Sequence, residues 1–215
     1  MKVVGHGVTV SLDGYVAGPD QSYEDPLGVG GEGLHEWAMA TKVMRQLHGM
    51  DGGDEGIDNI WARLSVEGVG ATIMGRNMFG PVRGPWDASD WNGWWGDSPP
   101  FHHPVFVLTH HPRASIEMDG GTVFHFVTDG IEEALRRARV AAGERDVRVS
   151  GGASTIRQYL EAALIDELHL AVVPQLLGSG ARLFDGALGS LPREYECTRF
   201  EASDRVCHVL LARRA

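Results

Sequence analysis

The chain has 215 residues, a length that suits one generous domain better than two ordinary ones. Hydrophobic residues make up 43% and charged residues 22%, which excludes a disordered chain, a fibrous repeat and a disulfide scaffold. The formal net charge is −10 and no basic stripe interrupts it, so a nucleic-acid partner is not expected.

The chain opens MKVVGHGVTV, which enters a strand-like alternation at once, over residues 3–10. No apolar signal core precedes it, and no run of about eighteen apolar residues occurs anywhere, so a cytoplasmic protein with no membrane partner is expected. Asp13-Gly14 is a turn signal, and residues 20–33 form an acidic, Gly-rich loop. Leu34, Trp37, Ala38, Thr41, Met44 and Leu47 recur at helical spacing and predict a helix over 34–48. After an acidic break from Asp51 to Asp58, Gly70 to Met74 reads as a short buried strand. An irregular stretch runs from Gly80 to Pro104 and carries Trp86, Trp91, Trp94 and Trp95. Strands are predicted at 104–109 and 123–127. Asp129 with Glu132 three residues on gives a capping-box-like start to a helix whose apolar face is Ile131, Leu135 and Ala138. Val147 to Val149 is a strand running into Gly151-Gly152, and Ile156, Tyr159, Leu160, Ala163 and Leu164 mark another helix. Leu168 to Val173 is a strand, and 195–213 reads as a strand pair turning near Ser203-Asp204. Strands alternating with helices predict an α/β fold in one domain over 1–215. Its mostly parallel mixed sheet would be covered on both faces and end in an antiparallel C-terminal edge.

Several motifs are excluded. Gly28-Val-Gly30-Gly-Glu-Gly33 matches GxGxxG, but Tyr23-Glu-Asp-Pro26 precedes it where a dinucleotide fingerprint needs a buried strand. No phosphate-binding GxxxxGK[ST], HExxH, HxE with PCxxC, or GxSxG occurs, and no metal site is expected. Cys197 and Cys207 lack metal-ligand spacing and read as strand residues.

Three segments carry chemistry. Gly75-Arg76-Asn77 follows a buried strand, where glycine admits a ligand close to the backbone and arginine holds a phosphate. Gly151-Gly152-Ala153-Ser154-Thr155 joins a strand to a helix whose free N–H groups form an anion site. Each taken alone reads equally as a simple tight turn, and their joint occurrence at strand-to-helix junctions favours phosphate. Thr109, His110 and Arg113 stand at a strand's carboxyl end, where open α/β sheets place ligands; a polar loop is the competing reading.

These segments, in this order, resemble the dihydrofolate reductase fold, and specifically the reductase domain of the bacterial riboflavin-biosynthesis deaminase-reductase family. The resemblance covers nearly the whole chain. It begins at Val10-Ser-Leu-Asp-Gly-Tyr-Val-Ala-Gly18 and continues through Met74-Gly-Arg-Asn-Met-Phe-Gly80 and Val107-Leu-Thr109. It ends with Gly151-Gly-Ala-Ser-Thr-Ile and the stretch from Leu164 to Phe184. The family's complete enzymes also carry a zinc deaminase, so this chain reads as a stand-alone relative. The resemblance implies a three-layer fold and NADPH as cofactor. Gly75, Arg76, Asn77 and Gly151 to Thr155 would face its phosphates. Thr109, His110 and Arg113 would lie by the adenosine ribose and its 2′-phosphate, and Val8, Thr9, Val16 and Ala17 would bracket the nicotinamide.

The expected function is hydride transfer from NADPH to a small heterocycle: a pyrimidine, a pteridine or a riboflavin precursor. Asp13 and Glu36 are the candidate catalytic proton donors, with a turn residue and a solvated helix face as their respective plainer readings. The alternatives are a non-catalytic, dimeric NADP(H)-binding protein and a reductase that binds flavin against the tryptophans. Those tryptophans suit either a substrate wall or a subunit interface. A homodimer is expected through Leu168 to Val173 and the strands of 195–213, read as an apolar edge.

Overall fold

The computed structural model describes residues 1–80, 84–86, 91–185 and 194–214. Nine strands form one mixed sheet. Its centre is parallel: β1 (Val3–Ser11), β3 (Val69–Gly75), β4 (Pro104–Leu108), β6 (Val123–Val127), β7 (Asp146–Gly151) and β8 (Glu167–Val173). Antiparallel strands close both ends, β5 (Ile116–Glu117) at one and the pair β10 (Tyr195–Ala202) and β11 (Cys207–Arg213) at the other. The spatial order is β10-β11-β8-β1-β7-β3-β4-β6-β5. A two-stranded ribbon of β2 (Tyr15–Ala17) and β9 (Ala181–Arg182) stands apart from it.

One face of the sheet is covered by α5 (Gly130–Ala142) and α6 (Ala153–Glu161), over a core that includes Val8, Val10, Ile73, Val147, Val149, Leu135 and Tyr159. The other face has a divided cover. Leu34, Trp37 and Ala62 pack on Ala171 and Val173 at the β8 side, below α1 (Glu36–Met39), α2 (Lys42–Leu47) and α3 (Ile57–Leu64). Phe79 packs with Met74, Val105, Val107, Phe124 and Phe126 at the β4–β6 side, with Trp86, Trp91 and Trp95 against them. Three layers result, as the resemblance implies.

A bulge in β1, between Gly5 and Val8, gives the strand its asymmetry. A bulge adds one residue and moves the later side chains of the strand to the opposite face. Val3 before it and Val8 and Val10 after it thus share the α5–α6 core. The backbone groups it frees are taken by side chains: Gly7 N donates to His169 Nδ1 at 3.2 Å, and His6 O accepts from Arg148 Nε at 3.1 Å. Gly7 sits at φ 75°, a conformation that favours glycine.

Three local expectations change. The helix predicted over 34–48 is a 3₁₀ turn (Glu32–His35) followed by α1 and α2, with a break at Thr41. Thr41 is extended (ψ 150°), its hydroxyl caps Met44 N, and the adjacent Lys42 N donates to Asp54 O. The acidic break at 51–58 runs into α3, which the acidic composition hid; Asp58 and Asn59 there are buried. Asp129 precedes α5 without a side-chain cap bond. In addition, β8 is no edge, because β1 and β11 pair with it on both sides. The exposed edge is β10, which carries Glu196, Cys197, Thr198, Arg199 and Phe200.

Candidate functional site

The carboxyl ends of β1, β3, β4 and β7 open into one cleft of about 1220 Å³. Ligands bind at such ends in open α/β sheets. Val8 and Thr9 form its floor, with Val16 and Ala17 of the ribbon beside them. Thr9 is buried and its hydroxyl accepts from Trp37 Nε1 at 3.2 Å, which fixes the α1 turn over the strand.

Two strand-to-helix turns approach each other across the cleft. At Gly75, a Cβ would stand 2.4 Å from the Thr155 hydroxyl, so the absent side chain is what lets β3 and α6 meet. At Gly152 a Cβ would meet nothing within 4 Å and would project into open space. Gly151 sits at φ 143°, and the Gly151–Gly152 peptide is cis. Gly152 is the N-cap of α6 and makes no side-chain cap bond, so the N–H groups of the first turn face the cleft unsatisfied by any cap. They are a built-in site for an anion.

The next wall is β4's end. Thr109 is buried, its hydroxyl accepting from His111 N at 3.2 Å, while His111 O accepts from Trp86 Nε1 at 2.8 Å. The Arg76 guanidinium stacks on Trp86, 3.2 Å from the ring centroid, and Nη1 donates to Gly84 O at 3.0 Å. Arg113 lies against the same indole at 4.8 Å and against Phe126 at 5.3 Å.

Of the residues read from the sequence, Val8, Thr9, Val16, Ala17, Gly75, Arg76, Asn77, Thr109, His110 and Gly151 to Thr155 share this cleft. Arg113, Asp13 and Glu36 do not line it. Asp13 is committed to the turn it stands in. Its carboxylate accepts from Ser11 Oγ (2.6 Å), Leu177 N (3.1 Å) and Gly178 N (2.7 Å). Those bonds, the Ser11 hydroxyl foremost, lower its pKa to about 2. With three donors on it, the carboxylate holds this turn together, outside the cleft lining. Glu36 is on the exposed side of α1; the same turn presents His35 and Trp37 to the cleft instead.

Other cleft residues escaped the sequence reading. His35 lines the cleft, with a pKa lowered by burial. Arg148 and Ser150 line it from β7, and His103 accompanies them, its pKa pushed down to about 4 by burial. A signal for β7 existed: Val147 and Val149 are core, so period two puts Arg148 and Ser150 on the other face of a central strand. A charge there is unusual. Trp94 and Trp95 also line the cleft, and Tyr23 packs edge-on against Trp91 at 5.2 Å and Trp94 at 6.0 Å. Residues 87–90 of the Trp-rich segment lie outside the described residues.

Comparison with known proteins points one way. The family model described as the RibD C-terminal domain matches residues 3–209. A curated relative, the uncharacterized protein YyaP of Bacillus subtilis (strain 168), is 33% identical over 72 residues, which are 34% of this chain and 37% of that protein. The match thus spans little more than a third of the relative's length. Among solved structures, a putative riboflavin biosynthesis protein from Shewanella sp. PV-4 superposes with a TM-score of 0.61 at 22% identity over all of both chains. A diaminohydroxyphosphoribosylaminopyrimidine deaminase/5-amino-6-(5-phosphoribosylamino)uracil reductase from Thermotoga maritima does so with 0.54 at 14% identity. That match covers 99% of this chain and 56% of that one. At these identities the superpositions establish the fold. Among the described residues, no helix is long and apolar enough to cross a membrane.

Proposed function

From the premise that this chain belongs to the RibD C-terminal domain family, we propose that it is an NADPH-dependent reductase of a small heterocyclic substrate, a pyrimidine, a pteridine or a riboflavin precursor. The observation that carries this reading is the turn at Gly151–Gly152. Uncapped N–H groups of α6 face a cleft into which a Gly152 side chain would project freely, and this suits a dinucleotide's pyrophosphate. Arg76 and Asn77 add side-chain donors from the facing turn, and Thr109 and His110 flank the adenosine end. Arg113 contributes through Trp86, holding the indole on which Arg76 stacks. Val8, Thr9, Val16 and Ala17 form an apolar floor for the nicotinamide and exclude water there. When bound, the cofactor supplies the hydride.

The chain's own residues orient the acceptor. With Asp13 and Glu36 set aside, the cleft-facing imidazole of His35 is the group that holds the acceptor by an N–H bond, and solvent delivers the proton. The alternative, an NADP(H)-binding protein without catalysis, gains from the same observation, since neither carboxylate is placed as an acid. NADPH consumption with a panel of pteridines, pyrimidines and flavins separates the two. Turnover with any of them supports the reductase, and binding without turnover across the panel supports the alternative.

We also propose a homodimer. The open backbone of β10 is a template for a second copy, and Phe200 on it is 69% exposed. Light scattering at micromolar concentration should give twice the mass of one 23.3 kDa chain, and the mass of a single chain would refute it.

A further inference from the structure

The divided cover on the second face of the sheet leaves a polar gap. Between the Trp37 cluster and the Phe79 cluster, the cleft continues inward from the cofactor turn over Gly7, Thr72, Ser65 and Arg148. Arg148 lies three residues before Gly151 on β7, so about 10 Å deeper than the phosphate-binding turn. It stands too far inside to serve the pyrophosphate.

Among the described residues, Arg148 forms no ion pair. Its Nε donates to His6 O, and among the described residues Nη1 and Nη2 make no hydrogen bond and no ion pair. The nearby carboxylates are engaged elsewhere: Glu67 with Arg63 at 3.4 Å, Glu167 with Lys2 at 2.6 Å, and Asp146 with Lys2 N at 2.7 Å. Burial lowers the arginine's pKa to about 10, with no carboxylate offsetting it, and the group stays a cation at neutral pH. The side chain is half-buried and lines the cavity.

We propose that Arg148 is the anchor of an inner subsite that takes a carboxylate of the substrate, so that the reductase acts on a heterocyclic carboxylic acid. The assignment rests on the reading of the outer cleft as the cofactor site. Two features favour a carboxylate over a phosphate. With Nε occupied, the free Nη1 and Nη2 edge presents the two parallel donors that fit a planar carboxylate. In addition, His103, hydrogen-bonded to Thr72 at 2.8 Å, is neutral, so among Gly7, Ser65, Thr72, His103 and Arg148 the arginine alone is charged. A carboxylate neutralises that charge, and a phosphate dianion would leave a buried negative one.

Arg148→Met tests the proposal, since methionine keeps the length of the side chain and removes its charge. Binding of orotate, uracil and inorganic phosphate is measured by calorimetry on wild type and variant, each without and with NADPH. The expected result is that orotate binds wild type at least tenfold more tightly than the variant, while uracil does not distinguish them. The variant loses the bond to His6 O, so it should melt somewhat lower than wild type, and it should bind NADPH equally well. Equal orotate affinity in the two proteins, no orotate binding to wild type, or a preference for phosphate over orotate would each overturn the proposal. If NADPH binds neither protein, the cofactor reading fails by itself, and the orotate comparison without cofactor still decides the subsite.

Discussion

Behind the β1 bulge lies a buried relay whose protonation states are set by its geometry. Gly7 N–H donates to His169 Nδ1, so His169 carries its proton on Nε2 and donates to His208 Nδ1 at 3.0 Å. His208 in turn donates from Nε2 to Asp58 Oδ1 at 3.0 Å. Both rings are neutral, and both lie against Trp61. Burial, with help from His208, lowers the His169 pKa to about 2. In the unfolded chain the same imidazole binds a proton below about pH 6.5. The unfolded state therefore takes up more protons as pH falls, and the stability present above pH 6.5 is lost progressively toward pH 2. For His169 alone the loss is about 2 kcal/mol between pH 8 and pH 5, at about 1.4 kcal/mol per pH unit. His6 and His208, both lowered chiefly by burial, add to it, whereas ordinary carboxylates titrate below this window. His169→Leu should cost about 2–4 kcal/mol at pH 8, by leaving Gly7 N–H and His208 Nδ1 without partners. It should also flatten the pH dependence by one proton. Urea denaturation of both proteins at several pH values measures this. A wild-type stability that is level from pH 8 to pH 5, or a variant with the wild-type slope, would refute the relay as drawn.

Arg76→Ala should weaken NADPH binding by about 1.5–3 kcal/mol, the worth of a charge-assisted bond, in a direct titration. Unchanged affinity would confine Arg76 to its stack on Trp86. Gly152→Val should melt near the wild-type temperature without cofactor yet gain no stabilisation from NADPH, because its side chain enters space a ligand needs. A variant that melts far lower but keeps the full NADPH shift would place the phosphates elsewhere. Asp13→Ala should lower the melting temperature, by removing the acceptor of Leu177 N and Gly178 N, without moving the pH profile of turnover. A shifted profile would restore Asp13 as the acid. Because its folded pKa is depressed, the stability Asp13 adds should be present above about pH 3.8 and fade as pH falls toward 2.

The features legible in the sequence were local. The turns at Gly75 and Gly151–Gly152 declare themselves through glycine after an apolar strand, and their chemistry comes from backbone alone. The parallel order is implied by alternating strands and helices. Hidden features depended on contacts distant in sequence. The break at Thr41 exists because Asp54 pairs with that segment, and α3 shows an acidic front because Asp58 is answered by His208, 150 residues away. Asp13 looked catalytic from its position and is spent on backbone donors at Leu177 and Gly178. Arg148 could be flagged by strand alternation, but its cavity arises from two separate aromatic and aliphatic clusters that leave a gap.

Calorimetric titration of the wild-type protein with NADPH tests directly whether the cleft between Gly75 and Gly152 holds a dinucleotide. The expected result is saturable binding of one NADPH per chain, tighter than that of NADH. Absence of saturable binding at millimolar NADPH would contradict it.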